Sequence, residues 1–411
     1  MRSALRFRLY PSHEQEARML RALGASRRLW NDALRHRRDR WQDERRSTSY
    51  NLQASILTVE RREDAELGGL HSQVAQDVLK RLDKAFQAFF KHKSRYPRFK
   101  KHSETGSFTY PQAYNGSAKP DVLRKRLFLS RIGSVRIVLH RPLPKDALVK
   151  TCTVTRGPDG KWFASLVFED IVPLQDILAK MKFVSPVGVD LGLKSLIVTS
   201  DGADIPHPRF LRKSEKQLKH LQRVLSRKKR GSKNSFKARQ RVASKHARVR
   251  RQRTDFSHKL STDLVKSHDL IAFEDLRTRN MIKNHRLAKS IQDAGWGQLV
   301  RFTEYKALSQ AKRVVRVDPA YSTQECFYCG TRSEVSLDVR EFVCVGCGRL
   351  LRRDHNASCI VLKRGLAKVG QGMPELKPVE MEPLLVQTTG RASSVGEAGT
   401  TRPRGLEAHG L

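Results

Sequence analysis

The chain has 411 residues, of which 81 are lysine or arginine and 41 are aspartate or glutamate, so its formal net charge is +40. Self-repulsion of that size is tolerated when a polyanion neutralises it, and nucleic acid is the partner that this charge favours. An anionic membrane surface is the alternative, but no amphipathic anchor stands out. No stretch approaches the roughly 18 apolar residues of a transmembrane helix. We therefore expect a cytoplasmic, nucleoid-associated protein without membrane contact.

The first part of the chain predicts one strand and then helices. Residues 4–10 alternate apolar side chains with arginines, which is typical of a half-buried strand. Ser12, with Gln15 three residues later, predicts a capping box and thus a helix start. Apolar residues at helical spacing then predict three helices, so that 11–92 forms a small helical bundle. Their stripes run from Met19 to Leu23, from Leu29 to Leu34 and from Val74 to Phe90.

From residue 93 the pattern becomes that of strands. Residues 135–139 alternate, and two further strands are predicted at 148–156 and 161–169, on either side of Gly157-Pro158-Asp159-Gly160. Turn residues of this kind between two strand patterns are a strong hairpin signal. The range 93–175 therefore predicts a β-domain. The strand at 4–10 could join it, with the helical bundle as an insertion.

A second, mixed α/β unit begins near residue 185. Its predicted elements are buried strands at 187–192, 196–198, 270–273 and 314–317, two long helices within 211–266 joined by a flexible turn at 230–235, and a last helix from Asp354. Beyond residue 370 the chain shows no periodicity, so we expect a disordered tail at 371–411.

Four of the six cysteines have the spacing of a structural zinc site. Cys326-x-x-Cys329 and Cys344-x-x-Cys347 are separated by fourteen residues. Each pair can supply two corners of a tetrahedron, so the two pairs together close a Zn²⁺ site. The alternative is a set of reduced redox or packing cysteines, but these polar, glycine-rich loops offer no apolar shell. The spacing predicts a zinc knuckle and is silent on catalysis.

Three acidic residues are candidates for a catalytic site. Asp190 and Glu274 each end a buried strand, and Asp354 lies at the start of the last helix. A carboxylate at a buried strand end is costly unless it is paired or binds a metal ion. Each residue also has a structural alternative: Asp190 as a turn residue, Asp275 in place of Glu274 as the inward carboxylate, and Asp354 as a helix N-cap. The spacing alone does not decide between these interpretations.

A strongly basic segment predicts contact with a nucleic-acid backbone. Residues 211–253 hold eighteen lysines and arginines and one acid, Glu215. A solvated helix face, the alternative, normally mixes charges to gain ion pairs four residues apart. A second basic run at 94–101 contains Tyr96 and Phe99, which suit base stacking or the core equally well. The candidate contacts are Arg98, Lys100, Lys228, Lys229 and Arg230.

Several short motifs follow one another in a specific order. They are Arg8-Leu9-Tyr10-Pro11, Trp30-Asn31, Tyr96-Pro97-Arg98-Phe99, Gly188-Val189-Asp190-Leu191-Gly192, Phe273-Glu274-Asp275-Leu276, Ser290 to Gly297, Ser322-Thr323-Gln324, the two cysteine pairs, and Arg353-Asp354-x-Asn356-Ala357. This order resembles the TnpB family, the transposon-encoded OrfB-type proteins related to type V CRISPR effectors. The resemblance covers about 1–365.

The resemblance implies an RNA-guided, Mg²⁺-dependent DNA endonuclease that cuts beside a short adjacent motif. Asp190, Glu274 and Asp354 become the ligands of two catalytic Mg²⁺ ions. The implied partners are a guide RNA and double-stranded target DNA. The implied fold is α/β multidomain. An RNase H-like (RuvC) core at 185–370 carries an inserted four-cysteine zinc knuckle at 320–352. A wedge-type β-barrel domain at 1–10 and 93–175 carries a helical recognition insertion at 11–92.

Other positions match the family loosely or depart from it. Tyr50 and Gln76 fall where the family places contacts to the adjacent DNA motif. Arg352 stands where the family often has aspartate, and Cys359 where a second asparagine is usual. Two alternatives therefore stay open: a guided DNA-binding repressor that has lost cleavage, and an RNA-independent transposase or resolvase-like nuclease on the same core.

Overall fold

The computed structural model describes residues 2–101, 105–143, 148–169, 183–336 and 339–372. Residues 373–411 of the predicted tail lie outside the described residues. Residues 170–175 of the predicted β-domain also lie outside them. None of the helices in the described ranges is long and apolar enough to cross a membrane.

A seven-stranded antiparallel sheet is built around the first strand of the chain. Its strands are β1 Arg2–Tyr10, β2 Gly106–Tyr110, β3 Ala118–Asp121, β4 Arg126–Leu129, β5 Gly133–Val138, β6 Val149–Arg156 and β7 Trp162–Glu169. They are ordered β2-β6-β7-β1-β5-β4-β3. Leu5 of β1 pairs with Leu166 of β7, and Leu9 pairs with Ile137 of β5. The predicted strand at 4–10 thus joins the later strands, and the helices lie between β1 and β2 in the chain.

The helices of this part are α1 His13–Glu44, α2 Tyr50–Glu63, α3 Ala65–Gly69 and α4 Ser72–Phe90, and a short 3₁₀ turn follows at Ala113–Asn115. The predicted capping box of Ser12 and Gln15 is present at the start of α1. The prediction of two separate helices before residue 44 was wrong, because α1 is continuous for 32 residues. Its buried side chains continue at helical spacing on both sides of Gly24, so this glycine does not interrupt the helix. Helix α2 was not predicted, since it buries only Gln53 and Leu57 and so has no apolar stripe.

The second sheet has five strands in the order β10-β9-β8-β11-β12. They are β8 Pro186–Leu191, β9 Ser195–Thr199, β10 Asp204–Pro206, β11 Leu270–Glu274 and β12 Arg313–Val317. The first three form an antiparallel meander, whereas β11 runs parallel to both β8 and β12. Parallel strands covered on both faces are apolar throughout, which is why β11 is an uninterrupted apolar run before Glu274.

Helices cover both faces of this sheet. They are α5 Phe210–Ser226, α6 Lys233–Ser267, α7 Thr278–Met281, α8 His285–Ala294, α9 Trp296–Ser309 and α10 Arg353–Lys368, and a small hairpin, β13 Glu341–Val343 and β14 Leu350–Arg352, precedes α10. Helices α6 and α9 pack on the face that includes Ile271 and Phe273, and α10 packs on the face of Leu270 and Ala272. The mixed α/β architecture and the helical pair predicted within 211–266 are confirmed.

Gly188 sets how closely α10 approaches the sheet. A Cβ atom at this position would lie 2.0 Å from the carbonyl oxygen of Ser358, so no larger residue fits without moving the helix. This close packing brings the first turn of α10, which carries Asp354, beside the end of β8, which carries Asp190.

Candidate active site and metal centre

Two carboxylates meet at the ends of neighbouring parallel strands. Asp190 on β8 and Glu274 on β11 are each only 7% exposed, and they are hydrogen-bonded to each other. The hydroxyl of Ser322 donates a 2.6 Å hydrogen bond to Oε1 of Glu274. Asp275 is exposed, so Glu274 is the inward carboxylate of the two. Parallel neighbours end at the same edge of the sheet, which is why residues 84 positions apart in the chain converge here.

The electrostatics of this pair oppose full ionisation. Burial raises the pKa of Asp190 well above its usual value, and the carboxylates of Glu274 and Asp354 raise it further. Burial also raises the pKa of Glu274, although hydrogen bonds from Ser322 and Asp190 and the charge of Arg364 act in the opposite direction. Two carboxylates in such a setting share one proton. A divalent cation would let both of them ionise.

Asp354 lies close to this pair but is held differently. It is the second residue of α10, and Arg352 is the N-cap, so the N-cap interpretation of Asp354 was wrong. Its carboxylate forms ion pairs with Arg340 and, at 3.4 Å, with Arg353. Within the part of the chain that the structure describes, the four cysteines are the only group of three or more potential metal ligands whose donor atoms all lie within 4.8 Å of one another. The three acids are thus neighbours without being a closed ligand set.

Sequence reasoning missed four side chains of this site. Ser322 and Arg353 lie inside the quoted motifs but were given no role, and Arg340 and Arg364 were not singled out at all. Arg364 donates hydrogen bonds of 2.7 and 2.8 Å to the carbonyl oxygens of Asp318 and Ala320, so α10 fixes the loop that carries Ser322. Arg340 lies 14 residues before Asp354 in the chain, and no periodicity in the sequence indicates that the two side chains are in contact.

The two departures from the family pattern lie at the rim of the site. Arg352 approaches Asp204 on the edge strand β10, at 3.8 Å. The Sγ atom of Cys359 is buried in α10, 3.9 Å from Nε2 of His355, and burial raises the pKa of this thiol to about 11. Cys359 is therefore a neutral packing residue.

The four predicted zinc ligands come together in one cluster. The Sγ atoms of Cys326 and Cys347 are 3.8 Å apart, and those of Cys329 and Cys344 are 3.5 Å apart. Four thiolates around one Zn²⁺ ion, with Zn–S bonds of about 2.3 Å and tetrahedral angles, have sulfur atoms about 3.8 Å from one another. A hydrogen bond with the Thr331 side chain is the main cause that lowers the pKa of Cys329, to about 6. Burial raises the pKa of Cys326 to about 12, so the sulfur spacing is the observation that fits a zinc knuckle.

Asn356 joins the cysteine cluster to the carboxylate site. Its side-chain oxygen accepts a 2.9 Å hydrogen bond from the backbone N–H of Phe327, and its amide donates one of 2.6 Å to the carbonyl oxygen of Glu325. Both partners flank Cys326, while Asn356 lies two residues after Asp354. The position of the knuckle and that of the third carboxylate are thus coupled through one buried amide.

The predicted nucleic-acid contacts lie on three surfaces. Lys228, Lys229 and Arg230 are exposed in the turn between α5 and α6. Tyr50 is the first residue of α2, and Gln76 is exposed on α4. Lys80 lies one turn after Gln76 on α4, and its ammonium is 5.8 Å from the centre of the Tyr50 ring. Tyr50 and Gln76 therefore belong to neighbouring helix faces.

The third surface, around Arg98 and Lys100, is partly structural. The indole N–H of Trp30 donates to the carbonyl oxygen of Arg98, and the ammonium of Lys100 lies 3.8 Å from the centre of the Trp30 ring. The amide of Asn31 also pairs with the backbone of Lys100. Lys100 thus fixes this loop to α1, whereas the Arg98 side chain is exposed. Tyr96 packs edge-on against two phenylalanine rings of α4.

Comparisons with known proteins cover most of the chain. Residues 171–285 match a family described as "Probable transposase", residues 296–361 match "Cas12f1-like, TNB domain", and residues 1–46 match "Helix-turn-helix domain". A protein of Streptomyces pristinaespiralis is 37% identical over 372 residues, which is 89% of this chain and 90% of that protein. Its provisional name is RNA-guided DNA endonuclease.

Two further relatives and one solved structure are also similar to this chain. A protein of Escherichia coli K12 with the provisional name RNA-guided DNA endonuclease InsQ is 33% identical over 94% of this chain and 98% of its own. A TnpB-like protein of Methanocaldococcus jannaschii is 29% identical over 53% of this chain and 50% of its own. The protein in a Cas12f1–sgRNA–target DNA complex, 14% identical, superposes with a TM-score of 0.54 over 88% of this chain and 98% of that chain, which shows a shared fold.

Proposed function

Because the chain belongs to the TnpB family of transposon-associated proteins, we propose that it is an RNA-guided, Mg²⁺-dependent DNA endonuclease that cuts target DNA beside a short adjacent motif. The observation that carries this proposal is the buried, hydrogen-bonded pair of Asp190 and Glu274, with Asp354 beside it. A carboxylate pair of this kind is costly to the fold, and metal-dependent phosphodiester hydrolysis is a chemistry that uses such a pair.

The architecture supports a division of the chain into two functional parts. We interpret the five-stranded sheet with its flanking helices, at 185–370, as an RNase H-like (RuvC-type) nuclease core that carries the knuckle at 320–352. The seven-stranded sheet then corresponds to a wedge-type domain at 1–10 and 93–175, and α1 to α4, at 11–92, to its recognition insertion. The chain order supports this division, because the helices lie between β1 and β2.

The donor set fits Mg²⁺. Magnesium prefers carboxylate oxygens and usually keeps several waters, so two buried carboxylates with a third nearby are a suitable set. When bound, Mg²⁺ ions would activate the attacking water and neutralise charge on the leaving oxygen. Asp190 and Glu274 would hold the metal, and Ser322 orients the Glu274 carboxylate. Asp354 would complete the set once its oxygens leave Arg340 and Arg353.

Arg340 has a second role in this proposal. Its guanidinium lies at Asp354, and thus where the scissile phosphate must sit if the three carboxylates share the metal ions. A guanidinium at this position would stabilise the negative charge that develops on the phosphate oxygens. The zinc knuckle, which carries Arg340 just before β13, therefore supplies a positioned cation as well as structure.

The basic surfaces suit a guide RNA paired with target DNA. In guided nucleases, base pairing reads the sequence, while the protein recognises the shape and backbone of the hybrid and a short flanking motif. The helical pair α5–α6, with Lys228, Lys229 and Arg230 at its turn, supplies backbone contacts that carry no sequence information. Tyr50 and Gln76 are our candidates for reading the flanking motif.

One specific observation favours a second function, guided DNA binding without cleavage. Asp354 is engaged by Arg340 and Arg353, and the three acids do not form a closed ligand set among the described residues. A protein in which these pairs persist in the presence of Mg²⁺ and target would bind DNA without cutting it.

The test is cleavage by the protein purified with its RNA. The copurified RNA is sequenced, matching target DNA is synthesised, and strand cutting is followed with and without Mg²⁺. We expect cutting that depends on Mg²⁺ and on the RNA. Full activity of RNA-free protein would instead support an RNA-independent transposase or resolvase-like nuclease, and tight target binding without cutting would support the repressor.

A further inference from the structure

A cavity of about 620 Å³ opens directly beside the carboxylate pair. It lies between the ends of β8, β11 and β12 and the helices α7, α8 and α9. Its lining includes the side chains of Glu274, Thr278, Arg279, Gln292, Trp296 and Arg301. Its volume is within the range of about 300–1,000 Å³ that is typical of small-molecule sites. Because Glu274 forms part of the wall, any occupant would lie next to the reacting phosphate.

Two guanidinium groups without an ion pair among the described residues line this cavity, together with the carboxylates of Glu274 and Asp275. Arg279 is exposed and forms no ion pair within the described ranges. Arg301 donates from Nε to the carbonyl oxygen of Gly297, at 2.9 Å, and its terminal nitrogens have no acceptor among the described residues. Arg316 also lines the cavity, but it is paired with Glu304 at 2.7 Å. Arg279 and Arg301 are therefore the groups available to an anion.

The first turn of α9 adds further hydrogen-bond donors. Its N-cap is Gly295, in the left-handed region at φ 67°, which has no side chain to cap the helix. Helix N-termini attract anions. The next residue, Trp296, also lines the cavity, but it is 3% exposed and its indole N–H is buried, so this group does not contact an occupant. The start of α9 therefore adds to the attraction that Arg279 and Arg301 exert on an anion.

The lining also includes apolar residues, among them Leu191, Ile291 and Val300. A ligand that matches this cavity combines a phosphate, for Arg279 and Arg301, with a flat and weakly polar body. That combination describes a nucleotide, and amides such as Gln292 can meet the polar edge of a base.

We propose that this cavity receives the nucleotide next to the scissile phosphate, with its base turned out of the strand. This inference rests on the proposed function, since it places the strand that is being cut. Arg279 and Arg301 are positioning residues: they hold the flanking phosphate so that the scissile phosphate meets Asp190 and Glu274. The loop 275–282, which includes α7, forms the side of the cavity that contains Arg279.

The experiment uses the protein purified with its RNA and the matching target DNA. The double variant Arg279→Ala/Arg301→Ala is compared with wild type and with the control Arg277→Ala/Arg286→Ala. The control removes Arg277, just before α7, and Arg286, on α8, and neither of these arginines lines the cavity. Target DNA carries a single abasic site, moved one position at a time across the mapped cut. Target binding and the single-turnover cutting rate are measured for each protein.

We expect the wild type to lose about tenfold in cutting rate when the abasic site falls beside the cut, and at no other position. The double variant should cut intact DNA about tenfold more slowly, bind target as wild type does, and respond to no abasic site. The control should match wild type. The inference is overturned if the double variant cuts at the wild-type rate, loses binding in parallel, or keeps the abasic response. A wild type that does not cut at all would overturn the proposed function and this inference together.

Discussion

The carboxylate pair and the cysteine cluster are both candidate metal centres, but they are supported by opposite kinds of structure. Asp190 and Glu274 end strands that are covered by helices on both faces. The cysteine cluster has a core of four buried residues, and two of these, Cys326 and Cys344, are themselves predicted zinc ligands. The first site is shaped by the fold and is destabilised by its own charges. The second has almost no apolar core, so we expect its shape to depend on zinc.

This difference predicts that metal removal acts on the two sites in opposite ways. Without Mg²⁺ the carboxylate site should keep its shape, because the sheet fixes it. Without Zn²⁺ the knuckle should lose its shape, and with it the positions of Arg340 and Ser322. Four experiments test this contrast, in order of decreasing expected effect.

The largest effect should come from the carboxylate pair. Asp190→Asn removes one ligand charge and should lower the cutting rate on the order of a thousandfold or more, with target binding unchanged. The matched control is Asp255→Asn, which alters an exposed carboxylate on α6 that does not line the site and should cut normally. Rapid-quench cleavage assays and gel-shift binding measure the two quantities. An Asp190→Asn protein that cuts well would remove this residue from the metal site.

A smaller loss should follow when the knuckle cannot hold zinc. Cys329→Ser/Cys347→Ser should reduce bound zinc from one ion per chain to none and lower cutting by about a hundredfold, through displacement of Arg340 and Ser322. Cys359→Ala is the control, because that thiol lies outside the cluster. Zinc is measured by elemental analysis and loss of shape by limited proteolysis. Normal proteolytic resistance in the zinc-free variant would contradict a metal-dependent knuckle.

Arg340 should contribute about one order of magnitude to the cutting rate. Arg340→Ala removes the cation at Asp354, whereas Arg352→Ala removes a neighbouring arginine that faces Asp204. If Arg340 stabilises developing charge, the first variant should lower the maximal rate and leave target affinity unchanged, and the second should change neither. A faster rate in Arg340→Ala would show instead that this arginine blocks the third carboxylate.

The smallest effect concerns stability. The folded-state pKa of Asp190 is raised, so in the unfolded chain this acid ionises at lower pH. Stability is therefore lost as pH rises from the usual aspartate value, 3.8, to the raised folded-state pKa, and the loss persists above it. Asp190→Asn avoids this cost and should be more stable than metal-free wild type by at least about 1 kcal/mol at neutral pH. Urea unfolding at several pH values measures the difference, which should shrink toward pH 4; a constant difference would be evidence against a shared proton.

The parts of the molecule that depend on local pattern could be predicted from the sequence. The apolar strands that end in Asp190 and Glu274, the paired cysteines and the helices α5 and α6 all carry their signals within a few residues. Strands β2, β3 and β4, which have four or five residues each, were not predicted. Elements this short are defined by their partners across the sheet.

The side chains that complete the carboxylate site could not be predicted from the sequence, for a different reason. Ser322, Arg340 and Arg364 act through contacts between segments that are far apart in the chain. Whether Asp354 is paired with arginines or joins the other acids depends on these contacts and on bound metal. From the sequence, only the resemblance to a family predicted that the three acids belong to one site.

The central place of β1 in the seven-stranded sheet has a consequence for biosynthesis. Its partners β5 and β7 follow more than a hundred residues later in the chain, so both edges of β1 stay unpaired until these strands have been synthesised. Pairings of such high contact order form slowly, whereas α1 to α4 can gain local contacts at once. Unpaired strand edges are sites of aggregation. We therefore expect the alternating arginines of β1, including Arg6 and Arg8, to oppose aggregation of the unpaired strand.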